Sequence, residues 1–432
     1  MTFLLILLAL VVVLLSGLPV FAALFLFSVG MLLAVEGNFG SVGEVVFGKL
    51  NTYLLVAIPL FTLMAHFMIR GRVVDDLFNT AHTLLRALPG GLGLATVAAC
   101  TVFAAISGSS VATALTIGSV AIPQMLRYGY SPRFAYGVVG AGGTLGILIP
   151  PSSPMVLFGV VSDTSIGQLF IAGIAPGLMM ALIFAAWCAA TAVFSRQRVA
   201  RGTWPSVGEA GASLLKAVPA LCLPVFVLGG MYLGVFTATE AAGAGALAAL
   251  VIALVYGRFT RRKFGWRDVW LSARDAARTS SMLFLILAAA GVLGQVLTKL
   301  RVPNEIVQLV TDNQLGPIGF LLAVMALIFV LGMFLETISI ILITTPVVLP
   351  VLQVLKIDPV WYGVLLCINL ELALITPPVG MNLFTLKAIT KAPMGEIIAG
   401  VAPYVLLLIA GLLIVLLVPE LALWLPRTML GR

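Results

Sequence analysis

Long apolar runs alternate with short polar segments along this chain, and few of the runs carry a charge near their centre. A bilayer-crossing helix needs roughly 20 apolar residues. On that measure the pattern predicts crossings at 3–17, 18–35, 53–69, 168–194, 213–235, 238–257, 279–299 and 396–418. Two further crossings, 133–161 and 360–390, are interrupted by adjacent prolines, "IPP" at 149–151 and "TPP" at 376–378. Ahead of each interrupted crossing lies an apolar stretch with a polar centre. One is 91–126, around Ser107, Gly108, Ser109 and Ser110; the other is 317–354, around Glu336, Thr337 and Ser339. Both read as re-entrant helical hairpins whose tips meet the broken helices from opposite faces. The serines also suit plain helix packing, whereas Glu336 does not, because an ionisable group at membrane depth is expensive and usually functional. The first 35 residues would also fit one signal peptide or one long helix. No basic segment opens the chain, however, and "SGLP" at 16–19 offers a turn, which favours two spans. The stretches 73–88 and 262–278 have the one-sided pattern of amphipathic helices lying along the inner membrane surface.

Composition fixes the solvent. With 61% hydrophobic and 9% charged residues and a mean hydropathy of +1.18, the chain belongs in a bilayer as an all-α, multi-pass protein. Its net charge of +8 is a topology signal, since short loops rich in Lys and Arg stay in the cytoplasm. Arg196, Arg198 and Arg201 mark one inner loop; Arg258, Arg261, Arg262, Lys263, Arg267, Arg274 and Arg278 mark another. Threading from these anchors leaves only Lys49, Lys299, Arg301, Lys356, Arg427 and Arg432 of the 24 basic residues outside, with both termini on the outer face. No soluble basic face exists for nucleic acid. Cys100, Cys188, Cys222 and Cys367 lack metal or redox spacing and read as packing residues. His66 and His82 stand alone and read as structural. No nucleophile–base arrangement points to an enzyme, and no phosphate-binding loop points to ATP as the direct energy source.

Sliding the first half onto the second by 227 residues places Pro123 on Pro350, Pro132 on Pro359, Pro150 on Pro377 and Pro151 on Pro378. Ser131-Pro132 and Asp358-Pro359 then both read as an N-cap followed by proline at the first helical position. The repeats divide the chain into 1–194, a cytoplasmic connector at 195–212, and 213–432. Five crossings per half, an odd number, require the second repeat to be inserted upside down, the architecture of secondary transporters. Proline has no amide hydrogen and clashes with the preceding turn, so Pro150, Pro151, Pro377 and Pro378 unwind their helices and free backbone carbonyls. In lipid those carbonyls need partners, and a bound cation is one. An ordinary proline kink is the plainer alternative; the symmetric pair, with Gly and hydroxyl residues around each break, favours a binding site.

"SGSSVATALTIGSVAIPQM", "GYSPRFAYGVVGAGGTLGILIPPS", "PLFTLMAHFMIRG", "LPGGL", "IDPVWYG" and "ITPPVGMNLF" together resemble the large membrane subunit (DctM-type permease) of the tripartite ATP-independent periplasmic (TRAP) transporters, over nearly the whole chain. The resemblance implies a sodium-driven, elevator-type importer of an organic acid such as a C4-dicarboxylate, a sugar acid or a keto acid, in the bacterial inner membrane. It implies two partners, a small four-helix membrane subunit and a periplasmic substrate-binding protein. Carried over residue by residue, it places sodium (Na+) sites at Ser107, Ser109, Gly143, Gly146 and Ser152 in the first repeat. In the second it places them at Gly332, Thr337, Thr376 and Val379. A substrate site between the tips takes Ser110, Thr144, Glu336 and Asn382. Pro154, which follows "PPSS", departs from the family pattern. A related family of sodium-coupled carboxylate or anion carriers shares the hairpins but works alone, and is the alternative.

Overall fold

Helix ends in this chain fall where the sequence removes a donor or supplies a cap. The computed structural model describes residues 2–14, 16–194, 202–259 and 264–429. The basic loops holding Arg196, Arg198, Arg201, Arg261, Arg262 and Lys263, and Arg432, lie outside the described residues. The described chain is all helical. It opens with α1 (Thr2–Leu14), α2 (Val20–Glu36), α3 (Val42–Leu50), a 3-10 turn (Tyr53–Val56) leading into α4 (Ala57–Arg70), and α5 (Val73–Leu85). The first hairpin is α6 (Gly91–Ser107) and α7 (Ser110–Arg127), followed by the broken pair α8 (Pro132–Leu148) and α9 (Ser153–Ser162) and by α10 (Ile166–Phe194). Then come α11 (Val207–Tyr232), α12 (Ala238–Phe259), α13 (Trp266–Lys299) and α14 (Val302–Asp312). The second hairpin is α15 (Pro317–Gly332) and α16 (Thr337–Val354), the second broken pair α17 (Pro359–Leu374) and α18 (Met381–Thr390), and the chain closes with α19 (Met394–Leu417) and α20 (Glu420–Met429). Among the described residues eight helical segments are long and apolar enough to cross a membrane, counting α8 and α9 as one. The protein is a multi-pass membrane protein.

The predicted caps form. Ser131 accepts a hydrogen bond from the Phe134 amide (3.3 Å) and Asp358 from the Val360 amide (2.8 Å), each ahead of a helix-opening proline. Both Pro150–Pro151 and Pro377–Pro378 are cis. The ends of α7, α8, α16 and α17 recur within a residue of the 227 spacing. The turn at 16–19 separates α1 from α2, so these residues form two helices, of 13 and 17 residues, neither long enough to count among the eight candidate spans.

Several expectations are corrected. Residues 262–278 and 279–299 do not form a surface helix and a separate crossing: from Trp266 to Lys299 the helix is continuous, because no proline or glycine interrupts 266–290 and Ala, Arg and Leu favour the helix throughout. The counterpart of α5 is instead α14, and the two begin alike, after Arg72 and Arg301 in left-handed backbone (φ 55° and 54°). Helix α11 starts at Val207 rather than 213, capped by Ser206, which accepts from the Glu209 amide (3.1 Å) and shortens the connector. Cys222 is exposed, so interior packing accounts only for Cys100, Cys188 and Cys367.

The hairpins and broken helices pack on one another. Helix α8 packs on α6, α7 and α19; α17 packs on α15, α10 and α19; α18 packs on α7. Between α8 and α19 the backbones nearly touch, since a Cβ at Gly137 would run into the Gly400 carbonyl and one at Gly400 into that of Arg133. Small residues permit such close approach, which helices in lipid need because they gain no hydrophobic energy from meeting. The closing helices α10 and α19 thus belong with the hairpins by packing. Around them, α4 packs on α12 and α13, α13 on α2 and α3, and α11 on α5. Arg70 pairs with Asp275 and Arg86 with Glu209; Lys299 pairs with Glu36 and Arg427 with Glu420. Each of these pairs joins residues that the threading of basic residues puts on one face.

Candidate functional site

The first hairpin turns on Gly108, in left-handed backbone (φ 59°), and Ser109, which caps α7 by accepting from the Ala112 amide (3.4 Å). Hydroxyls close the turn: Ser107 Oγ and Thr113 Oγ1 lie 2.8 Å apart, and Thr113 donates to the Ser109 carbonyl (2.8 Å). The tip sits directly on the break, because a Cβ at Gly108 would collide with the Pro151 carbonyl. Gly146 lies against the backbone of the same tip, its absent Cβ 2.5 Å from the Ser109 carbonyl oxygen, and Gly143 faces Ala114 at 2.7 Å. The break has 17 residues of α8 before it and 10 of α9 after it, so the hairpin reaches the middle of this segment.

Prolines at 150 and 151 remove the amides that would bond the Gly146 and Ile147 carbonyls, and no other donor reaches these oxygens among the described residues. Ser152 at the N-cap of α9 makes no cap bond, and its buried Oγ has no partner among the described residues. Gly143 lies inside α8, packed against Ala114 of α7. The second half repeats the device. Val379 donates its amide to the Met333 carbonyl (3.2 Å), tying break to tip, and Gly332 packs on Ala373. Pro378 removes the amide that would bond the Leu374 carbonyl, and the Val379 amide that would bond Ile375 goes to Met333 instead, so neither carbonyl receives a donor among the described residues. Thr376 donates its hydroxyl to the Leu372 carbonyl (2.6 Å), which leaves lone pairs on its oxygen. Thr337 is buried in the first turn of α16, and Glu336 stands half-buried at that helix's N-cap without a cap bond.

A buried hydrogen bond joins the two hairpin–break units. Asn382, wholly buried at the start of α18, donates from Nδ2 to Ser110 Oγ (2.7 Å) at the start of α7, 272 residues away. The Asn382 Oδ1 is buried and has no partner among the described residues. Ser110 and Asn382, both assigned to the substrate site by the resemblance, are therefore brought together. Thr144 is buried and spends its hydroxyl on the Ala141 carbonyl (2.7 Å), and no hydrogen bond joins it or Glu336 to that pair among the described residues. His66 lies beside the Arg70–Asp275 pair and His82 lies edge-on to Tyr128, both away from the tips. Burial, then the charge of Arg86, holds the His82 pKa below its usual value.

Glu371 was not singled out by sequence reasoning. It is completely buried on α17, beside the backbone of Leu148, and neither carboxylate oxygen has a hydrogen-bond partner among the described residues. Its signal was the one that marked Glu336, an ionisable residue inside an apolar run, five positions before Thr376.

The site is thus an arrangement of oxygens, two carbonyl-rich breaks each covered by a hairpin tip. Among the described residues no cluster of His, Cys, Asp and Glu suits a transition metal; neutral oxygen cages suit a hard monovalent ion. The sequence pattern of the family described as "Tripartite ATP-independent periplasmic transporter, DctM component" matches residues 7–421. The C4-dicarboxylate TRAP transporter large permease protein DctM of Pseudomonas aeruginosa is 40% identical over 383 residues, which cover 87% of this chain and 86% of that protein. The protein of the same name in Vibrio cholerae is 36% identical over 436 residues, 96% of this chain and 95% of that one. Among solved structures, the YdaH transporter of Alcanivorax borkumensis shares the fold, with a TM-score of 0.63 at 14% identity over 88% of this chain and 87% of that one.

Proposed function

Because this chain belongs to the DctM component family of the tripartite ATP-independent periplasmic transporters, we propose that it is the large permease subunit of a sodium-driven importer of an organic acid. A C4-dicarboxylate is the leading candidate, being the substrate class in the names of the relatives at 40% and 36% identity. It is a transport permease and not an enzyme. The observation that carries the sodium reading is the pair of broken helices whose donorless carbonyls lie under hairpin tips, joined by the Asn382–Ser110 bond. Sodium, when bound, supplies the positive charge those oxygens lack and helps draw an anion to Ser110 and Asn382, so the two bindings share one coupling free energy. In the first half Ser107, Ser109, Gly146 and Ser152 are the candidate ligands; in the second, Gly332, Thr337, Thr376 and Val379.

The two inverted repeats form one hairpin–break core (α6–α10 and α15–α20), which moves as a body against the frame of α1–α5 and α11–α14. The recurrence of helix ends at the 227 spacing supports the repeat. Tips that stop at mid-segment breaks support re-entrant hairpins. The grouping of ion pairs by face supports termini on the periplasmic side of the inner membrane. The partners are a small membrane subunit and a periplasmic binding protein. The test is uptake in proteoliposomes. Succinate delivered by its binding protein enters only when the small subunit is present and sodium is high outside. Uptake by this chain alone would move it to the stand-alone carriers, and uptake driven by a proton gradient alone would remove the sodium sites.

A further inference from the structure

Basic residues are scarce on the outer face, and two of the six assigned there, Lys49 and Lys299, line one cavity of about 400 Å3. One wall is frame, from α3 and the end of α13. The opposite wall is core, from Val161 on α9 and Pro346 on α16. The cavity therefore lies in the seam between the two groups of helices. Lys49 makes no ion pair among the described residues, and its stem lies across Gly291, where a Cβ would sit 2.7 Å from Lys49 Cγ. Lys299 is held by Glu36. Gln295 donates from Nε2 to Ser41 Oγ (3.1 Å), leaving its Oε1 buried without a partner among the described residues. The topology rule gathers Lys and Arg on the inner face, so it does not account for two lysines gathered at one outer cavity. A cleft of one sign with low-dielectric walls concentrates oppositely charged solutes, and this volume falls in the range of small-ligand sites.

Building on the transport reading above, we propose that this cavity is the receiving vestibule for a carboxylate leaving the binding protein. Lys49 contacts the carboxylate, and Lys299 is kept by Glu36 at the cavity wall. The test uses the full complex in proteoliposomes with succinate-loaded binding protein. Lys49→Gln slows sodium-driven uptake about tenfold at low ionic strength and much less at high salt, while Lys356→Gln, on the same face but outside the cavity, leaves it unchanged. In a Cys222→Ser background, Lys49→Cys is labelled from the outside by a membrane-impermeant charged thiol reagent, and bound succinate slows the labelling. Outside labelling that succinate does not slow, together with normal uptake by Lys49→Gln, overturns the vestibule and leaves the transport reading standing. Labelling only from the inside overturns the threading on which the vestibule depends. Failure of the unsubstituted complex to take up succinate is a failure of the transport reading, seen before any lysine is altered.

Discussion

The two hairpin–break units share a backbone and differ in where they keep their side-chain oxygens. In the first, the tip is two residues long and closed by hydroxyls from Ser107, Ser109 and Thr113, while the residue before the paired prolines is Ile149. In the second, the tip runs from Met333 to Glu336 without a side-chain cap and is held by the Val379 amide, while the residue before the prolines is Thr376. Close approach is also reached from opposite sides. Gly146 on the broken helix admits the first tip, whereas at its counterpart, Ala373, the glycine has moved to the hairpin as Gly332. The lesson is that proline pairs and tip contacts make a skeleton common to both halves, and each half furnishes it with its own side-chain oxygens.

The largest effect that sharpens this comparison is steric. Gly146→Ala forces a methyl against the Ser109 carbonyl, which is backbone and cannot swing aside, and costs about 2–3 kcal/mol. Ala373→Gly, at the matching place, removes a methyl and costs about 1 kcal/mol. Thermal unfolding of the purified protein checks this; equal small shifts would mean that the two tips are not seated by glycine from opposite sides.

A second difference is the pair Thr144 and Glu371, which match at the 227 spacing. Thr144 satisfies its hydroxyl inside its own helix, but Glu371 leaves two oxygens orphaned in a fully buried place. Glu371→Leu replaces that group with an apolar one of similar size and raises stability by about 1 kcal/mol or more, or roughly 2 °C in melting temperature, while uptake falls. A carboxyl kept at a cost to stability is one kept for function. A drop in melting temperature would show instead that the carboxyl supports the fold.

Much of this comparison was legible in the sequence, for physical reasons. Hairpin bounds were within a residue because α7 begins at the Ser109 cap and α15 at Pro317, and each tip interrupts an apolar run with polar residues. The paired prolines marked the breaks because no neighbouring side chain can restore a missing amide. What was not legible depended on packing. The fusion of 262–278 with the next crossing left no mark, since amphipathic and apolar stretches of one helix look like two elements. The contact between Asn382 and Ser110 spans 272 residues and has no local signal. Glu371 had a signal, but its complete burial and lack of partners, which make it unusual, are properties of the fold.

The measurement that bears most directly on the sodium claim exploits the hydroxyl that only the second break carries before its prolines. Thr376→Val keeps the shape and removes the oxygen. One oxygen contact to a charged group is worth about 1.5–3 kcal/mol, so the sodium concentration for half-maximal uptake rises by about tenfold or more, with assembly of the complex intact. Ser107→Ala shifts it in the same direction more weakly. Uptake is followed across a sodium series in proteoliposomes with loaded binding protein and no proton gradient. Should Thr376→Val keep the unsubstituted sodium dependence, the prolines at 377 and 378 are a hinge and the second sodium site is not where this account puts it.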